Sequence, residues 1–213
     1  ADLLTALSAR RDDLHGVTVM QLLPTGHHSY LDPEGTDRIR HNGLFLGGPT
    51  RAGAQAGWVD WTPNHFSEIP ELLRRGHLRS EVAVSRCSPM DEHGFFSLGL
   101  SPAYTMAAIE MARDVILEVD PHAPFAHGDC HIHVSQVSKL IETEAPLVQL
   151  ASPTIGEVER AIARFVADLV PDGATLQIGI GAIPDAVVAQ LQDKNDLGIH
   201  TEMFGDGILS LVE

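Results

Sequence analysis

Cysteine and lysine are scarce in this chain of 213 residues. Its two cysteines, Cys87 and Cys130, are too few for a disulfide framework and fit a reducing compartment, so we expect a cytoplasmic protein. Lysine occurs only at Lys139 and Lys194, and the other basic residues are arginines. A phosphate held by this chain would therefore meet an arginine fork or main-chain N–H groups.

Long apolar runs and positive net charge are missing as well. Runs such as Val115–Val119 are far shorter than the roughly 20 residues of a membrane-spanning helix, so no membrane partner is expected. The sequence does not open with a basic and then apolar leader, which favours a protein that is not secreted. The formal charge of -15 would repel nucleic acid, so we expect no nucleic-acid partner and an anionic ligand held only locally.

Apolar runs of strand length alternate with segments of helix-forming composition. The predicted strands are 17–23, 81–87, 115–119, 147–150, 175–178 and 197–201. The predicted helices are 2–13, 102–113, 154–170 and one that Pro184 opens as its first residue. This alternation predicts a layered α/β/α architecture around a parallel sheet, with sites at the carboxyl ends of the strands.

Two segments receive more specific predictions. Residues 24–63 are dense in Gly, Pro, His and Asp, so we expect long loops around one short strand at Leu44–Leu46. In the helix at 154–170, Thr154 and Glu157 have the spacing of a capping box. The large apolar residues of that helix share one face: Ile155, Val158, Ile162, Phe165, Val166 and Leu169.

The chain is expected to contain one complete domain and part of another. A boundary near Ser152 and Pro153 gives residues 1–153 as an N-terminal α/β domain. Residues 154–213 are then the truncated start of a second, similar α/β domain. The apolar segment Phe204–Val212 begins a new element just before the last residue, without a polar tail, so the sequence is predicted to be a fragment.

A glycine turn and a glutamate follow two successive predicted strands. Gly179, Ile180 and Gly181 come after the strand at 175–178, and Glu202 comes after the strand at 197–201. Carboxyl ends of parallel strands meet at one edge, so main-chain N–H groups of the turn could hold an oxyanion opposite the carboxylate. The same pattern also suits an ordinary packing turn and a solvated carboxylate, and the residues alone leave both interpretations open.

Three blocks of the sequence resemble the acetyl-CoA hydrolase/transferase family, which includes 4-hydroxybutyrate CoA-transferases. They are SPMDEHGFFSLG (88–99), HGDCHIHVSQVSKL (127–140) and TLQIGIGAIPDAVVAQLQDKNDLGIHTEMFGDGILSLVE (175–213). The resemblance covers most of residues 66–213 and implies a fold of the CoA-transferase type. Family members are longer than this chain, so both ends are expected to be missing.

The resemblance also implies an activity and a nucleophile. Glu202, within the motif His200–Met203, matches the family's nucleophilic glutamate, and Gly179, Ile180 and Gly181 match a backbone site for the oxyanion or CoA. The implied reaction moves CoA between an acyl-CoA and a small carboxylate such as acetate, through a glutamyl-CoA thioester. No cofactor is expected beyond coenzyme A as a substrate, and a homodimer is expected by analogy.

Other assignments stay open beside this one. Water could replace the acceptor acid, which would make the protein an acyl-CoA hydrolase, and this chain alone could be an inactive CoA-binding or structural fragment. His93, Gly94, Ser97 and His133 are candidates for the substrate cleft, although a structural turn capped by a side chain explains the first three equally well. No metal is expected, although four polar residues at alternating positions could in principle hold zinc. They are His127, Asp129, His131 and His133.

Overall fold

The computed structural model describes residues 2–24, 26, 28–149 and 151–212. Its strands, in chain order, are β1 (Val17–Gln21), β2 (Ile39–Gly43), β3 (Val59–Trp61), β4 (Val82–Cys87), β5 (Phe95–Ser97), β6 (Asp114–Val119), β7 (His131–His133), β8 (Lys139–Glu142), β9 (Thr175–Leu176) and β10 (Gly198–Ile199). Its helices are α1 (Asp2–Ala9), α2 (Gly48–Ala56), α3 (Ile69–Arg74), α4 (Thr105–Met111), α5 (Glu157–Asp168), α6 (Ala182–Val188) and α7 (Leu209–Val212).

The chain divides into two compact units, residues 1–148 and residues 149–213. The boundary predicted from the sequence, after residue 153, falls in the exposed and irregular segment 151–154. That the second unit is the start of a domain similar to the first stays a prediction.

Three parallel sheets confirm the predicted α/β class. In the first unit, β1, β2 and β3 pair in that order, and β4, β6 and β8 pair in that order, all in parallel. In the second unit, β9 and β10 form a parallel pair. An antiparallel pair of β5 with β7 adds a small ribbon to the first unit, with Phe95 opposite His133 and Ser97 opposite His131.

The main core of the first unit lies between the β4–β6–β8 sheet and the β5–β7 ribbon. Leu117 on β6 and Ile132 on β7 are completely buried, and Phe96 on β5 packs in the same cluster. Burying a side chain of this size stabilises a fold by about 1.5–3 kcal/mol. The apolar runs that predict β4 and β6 therefore form the centre of this unit.

Residues 24–63 contain two strands and a helix, so the prediction of long loops around one short strand is wrong where these elements lie. Strands β2 and β3 and helix α2 occupy it, and the segment Leu44–Leu46 is not a strand because β2 ends at Gly43. The sequence pattern hid β2, since polar His41 and Asn42 lie inside it. Thr25 and His27 fall within the predicted loop but outside the described residues.

One predicted helix ends earlier than expected, and one predicted strand is not formed in the residues described. Helix α1 ends at Ala9, and a separate 3₁₀ turn at Arg11–Asp13 follows it in place of a continuous helix to Asp13. Residues 147–149 have no strand structure, so that prediction is wrong for them, and Leu150 lies outside the described residues.

Helix α5 forms as predicted but begins later. Gly156 caps it, and the main-chain N–H of Gly156 donates to Glu159 Oε2 at 2.9 Å, so the predicted capping box of Thr154 and Glu157 is wrong. With Gly156 as the cap, the glutamate three residues further on is Glu159, and its carboxylate reaches back to the N–H of the cap. No helix in the described ranges is both long and apolar enough to cross a membrane.

His41 is a buried histidine in the middle of β2. Its side chain is 1% exposed and its ring lies against Tyr30, with 6.0 Å between the ring centroids. Neither ring nitrogen has a hydrogen-bond partner among the residues that the structure describes. Burial lowers the pKa of His41 to about 4, because the charged imidazolium is poorly solvated inside the protein.

The first prediction concerns the pH dependence of folding. In the unfolded chain His41 has an ordinary pKa near 6.5, so between about pH 6.5 and 4 the unfolded state binds more protons and stability falls as pH falls. We expect His41 to account for up to about 3 kcal/mol of that loss. Denaturant unfolding of wild type and His41→Gln at several pH values measures it, and parallel pH profiles for the two proteins would contradict the prediction.

Candidate active site

The second unit brings two strand ends together at one edge of its sheet. Gly198 pairs with Thr175, and Ile199 pairs with Leu176, in a parallel register. Each strand is shorter than the sequence predicted, but the main-chain N–H of His200 still donates to the carbonyl oxygen of Leu176 at 2.9 Å. The segments that follow β9 and β10 therefore run side by side beyond the last regular pair.

Thr201 joins the two strand ends through its side chain. Its hydroxyl donates to the carbonyl oxygen of Ile178 at 2.7 Å and accepts from the main-chain N–H of Ile178 at 3.1 Å. Both polar main-chain groups of Ile178 are thus satisfied by one side chain. Apolar patterns in the sequence indicate no role for Thr201, although a β-branched hydroxyl residue at a strand end is a signal that suggests one.

This clamp fixes the neighbours of both residues. Glu202 follows Thr201, and Gly179 follows Ile178. Because adjacent strands lie about 4.8 Å apart, the glutamate and the glycine turn leave the sheet side by side. The structure therefore brings together the two features that the sequence placed at one edge, and the Glu202 side chain is exposed there.

The turn from Gly179 to Gly181 depends on glycine at its last position. Gly181 has φ 115° and ψ -178°, a conformation that essentially only glycine adopts, and it caps α6. The main-chain N–H of Asp185 donates to the carbonyl oxygen of Gly181 at 3.1 Å. Ile180 between the two glycines is 59% exposed, so the turn presents its main chain and one apolar side chain outward.

Helix α6 begins two residues before the predicted start. Its first residue is Ala182, and Pro184 lies within the first turn, so the prediction that Pro184 opens the helix is wrong. Proline is tolerated there because the N–H groups of the first turn have no acceptor inside the helix. Pro184 instead borders an apolar groove of about 220 Å³, which Val166, Leu176 and Leu191 also line.

The other candidates lie in the first unit, around the β5–β7 ribbon. Asp91 holds the turn before β5, because its Oδ1 accepts from the main-chain N–H groups of His93 at 3.0 Å and Phe95 at 2.7 Å. Gly94 has φ 85° and packs against the ring of His133, whose Nε2 would lie 3.0 Å from a Cβ at this position. His93 itself is exposed. These contacts are those of a capped structural turn.

Ser97 is a buried hydrogen-bonding centre. Its hydroxyl donates to the carbonyl oxygen of Ala126 at 2.9 Å and accepts from the main-chain N–H groups of Ala126 at 3.0 Å and Gly99 at 3.1 Å. The side chain is 0% exposed. Its contacts support the structural interpretation of this residue and give no support to a place in the substrate cleft.

The alternating histidines do not form one strand. Only His131 and His133 belong to β7, while His127 and Asp129 lie in the loop before it. His133 Nδ1 accepts from the main-chain N–H of Ser135 at 3.3 Å and so caps a short 3₁₀ turn. Across the described part of the chain, no group of three or more His, Cys, Asp or Glu residues is arranged to hold a metal ion.

Fold and site together define a class of protein: a parallel α/β protein that exposes a glutamate at a strand end beside a glycine turn. Residues 2–151 match the model of the acetyl-CoA hydrolase/transferase N-terminal domain, and the chain belongs to that family. The matched range ends before the second unit's helices and strands. For Glu202 and its surroundings the likeness therefore rests on relatives that match almost the whole chain.

Two such relatives are CoA transferases by name. The chain is 45% identical to a succinyl-CoA:cyclohexane-1-carboxylate CoA transferase from Geobacter metallireducens, over 97% of this chain and 47% of that protein. It is 43% identical to a 4-hydroxybutyrate coenzyme A transferase from Clostridium kluyveri, over 100% of this chain and 49% of that protein. The chain therefore spans about half the length of the curated relatives it matches.

A solved structure is also similar to almost the whole of this chain. RipA from Yersinia pestis superimposes with a TM-score of 0.90 at 33% identity, over 99% of this chain and 51% of that one. Together with the two relatives that are CoA transferases by name, this superposition confirms the predicted fold of the CoA-transferase type for the part of the fold that this chain contains.

The second prediction tests the Thr201 clamp. Thr201→Val keeps the shape of the side chain but leaves the N–H and C=O of Ile178 without their partner, so we expect a loss of about 1–3 kcal/mol in the free energy of unfolding. Thr201→Ser keeps the hydroxyl and is the control, with a smaller loss expected. Denaturant unfolding compares the three proteins, and equal stability of the valine and serine variants would show that the hydroxyl does not hold the strand ends.

The third prediction tests the turn before β5. Gly94→Ala adds a Cβ at positive φ and against His133, whereas Gly76→Ala adds one at φ 75° with nothing within 4 Å. Both variants should lose about 1 kcal/mol from backbone strain. Gly94→Ala should lose more, and the difference between the two unfolding free energies measures the His133 contact. A larger loss for Gly76→Ala would contradict this assignment.

Proposed function

We propose that the full-length protein is a CoA-transferase that moves coenzyme A between an acyl-CoA and a small carboxylate, with Glu202 as the nucleophile. The observation that carries the proposal is the Thr201 clamp, which holds an exposed carboxylate beside the glycine turn at the carboxyl edge of a parallel sheet. The names of the relatives agree with this reaction class, and both are transferases rather than hydrolases.

A carboxylate nucleophile makes this exchange a series of acyl transfers. The Glu202 carboxylate attacks the thioester carbonyl, CoA leaves as its thiolate, and a mixed anhydride of Glu202 and the first acyl group remains. The thiolate then attacks the Glu202 carbonyl, which releases the first carboxylate and forms a glutamyl-CoA thioester. A second carboxylate repeats the two steps in reverse, leaving with CoA and regenerating the free glutamate.

Each attack passes through a tetrahedral intermediate that carries an oxyanion. Main-chain N–H groups of Gly179, Ile180 and Gly181 are the proposed donors, because the clamp places this turn beside Glu202. Glycine at 181 permits the backbone conformation of the turn. Further donors and most of the surface that binds CoA would come from the half of the protein that is not part of this chain.

The finer features of the proposal are the acceptor, the metabolic role, the location and the oligomeric state. Transfer differs from hydrolysis only in whether an acid or water resolves the glutamyl thioester, which depends on how well the closed site excludes water. A role in acetate metabolism follows from the small acceptor acid. A cytoplasmic location is proposed because both cysteines are free and buried, and a homodimer is proposed by analogy with related folds.

The fourth prediction tests the nucleophile in the full-length protein. Glu202→Gln should reduce transferase activity at least about 1,000-fold, because an amide cannot form the anhydride. Wild type incubated with acyl-CoA and then treated with borohydride should carry a reduced side chain at Glu202, detectable by peptide mass spectrometry. Asp193→Asn, which removes another exposed carboxylate of the same unit, should leave both measurements unchanged.

The same experiment separates the alternatives. An active enzyme with an unmodified Glu202 would overturn the covalent mechanism. Steady release of CoA in the absence of an acceptor acid would show a hydrolase, whereas release only with an acceptor carboxylate is the expected result for a transferase.

A further inference from the structure

Helix α5 has two apolar faces, and only one of them is covered. Ala163 and Ala167 are buried where α5 packs against α6. The larger apolar residues lie on a different face and are exposed. They form what we call the α5 stripe: Val158 at 68%, Ile162 at 37%, Phe165 at 75%, Val166 at 37% and Leu169 at 82%.

Helix periodicity makes the stripe a single surface. Residues four, seven, eight and eleven positions after Val158 return to the same side of a helix that has 3.6 residues per turn. Ala163 lies one residue beyond Ile162 and so points about 100° away. The small residues thus serve a close helix contact, while the large ones form an apolar face that nothing in the described part of the second unit covers.

The groove and the small sheet of the second unit also indicate a layer of structure that is incomplete. Val166 belongs both to the stripe and to the apolar groove beside β9 and α6. The sheet of this unit has two strands of two residues each, and a pair that small is not stable without further strands or a packed layer. Exposed apolar surface of this extent marks an interaction site.

We propose that the α5 stripe is the contact face for the remaining half of the full-length protein, which lays a further layer of structure over it. The occupant follows from length: the relatives are about twice as long, and RipA matches 99% of this chain with only 51% of its own residues. The proposal does not depend on the catalytic role of Glu202.

Thiol labelling of the full-length protein tests this contact. Phe165→Cys places a thiol in the stripe, and Arg164→Cys places one on the exposed charged side of the same helix. In the folded protein we expect the thiol at 165 to react on the order of 100-fold more slowly than the thiol at 164, and equally fast in denaturant. Cys87 and Cys130 are buried and give little background, and peptide mass spectrometry assigns each label.

Two outcomes would overturn the proposal. One is equal labelling of the two variants in the folded protein. The other is protection of the thiol at 165 that disappears when an oligomer is diluted to monomers, because that result assigns the stripe to a second copy.

A measurement on the wild type covers the case in which Phe165→Cys does not fold. Hydroxyl-radical footprinting of the folded full-length protein should oxidise Phe165 and Leu169 far less than in the denatured state. Oxidation of both at the denatured rate would again contradict the proposal.

Discussion

The candidate site depends on one constraint, which is that parallel strands point their carboxyl ends to the same edge of a sheet. In the second unit β9, α6 and β10 satisfy this constraint in one crossover, so Ile178 and Thr201 become neighbours although 23 positions separate them. The Thr201 hydroxyl then completes the pairing where the regular ladder stops. A carboxylate and a glycine turn are thereby held at a common edge of the sheet.

The family-like blocks of the first unit have a different physical basis. Asp91, Gly94 and Ser97 all serve the β5–β7 ribbon, through a capped turn, a positive φ against His133 and a buried hydroxyl that binds three main-chain groups. Residue types that are common in catalysis are used here to satisfy main-chain groups inside the fold. A motif of polar residues in such a protein can therefore mark a turn that stabilises the fold, and not a catalytic site.

The second unit shows how a contact face can be read from a single helix. Alanines allow the axes of α5 and α6 to approach closely, while Phe165 and Leu169 extend from another face. Helical periodicity alone cannot tell which apolar face a neighbour covers, since both faces satisfy the same spacing rule. Burial in the three-dimensional structure separates the two.

The local sequence pattern predicted the α/β class, the strands that form the centre of the first core, and helix α5, and it placed Glu202 and the glycine turn after two neighbouring strands. These features follow from local apolar patterns and from the common direction of parallel strands that are joined through a helix. Three features became visible only in the folded chain: β2 forms around His41, Ser97 is buried, and Thr201 joins the strand ends. The physical reason is that each of these depends on partners distant in the sequence, whose hydrogen bonds and packing override what the local residues favour.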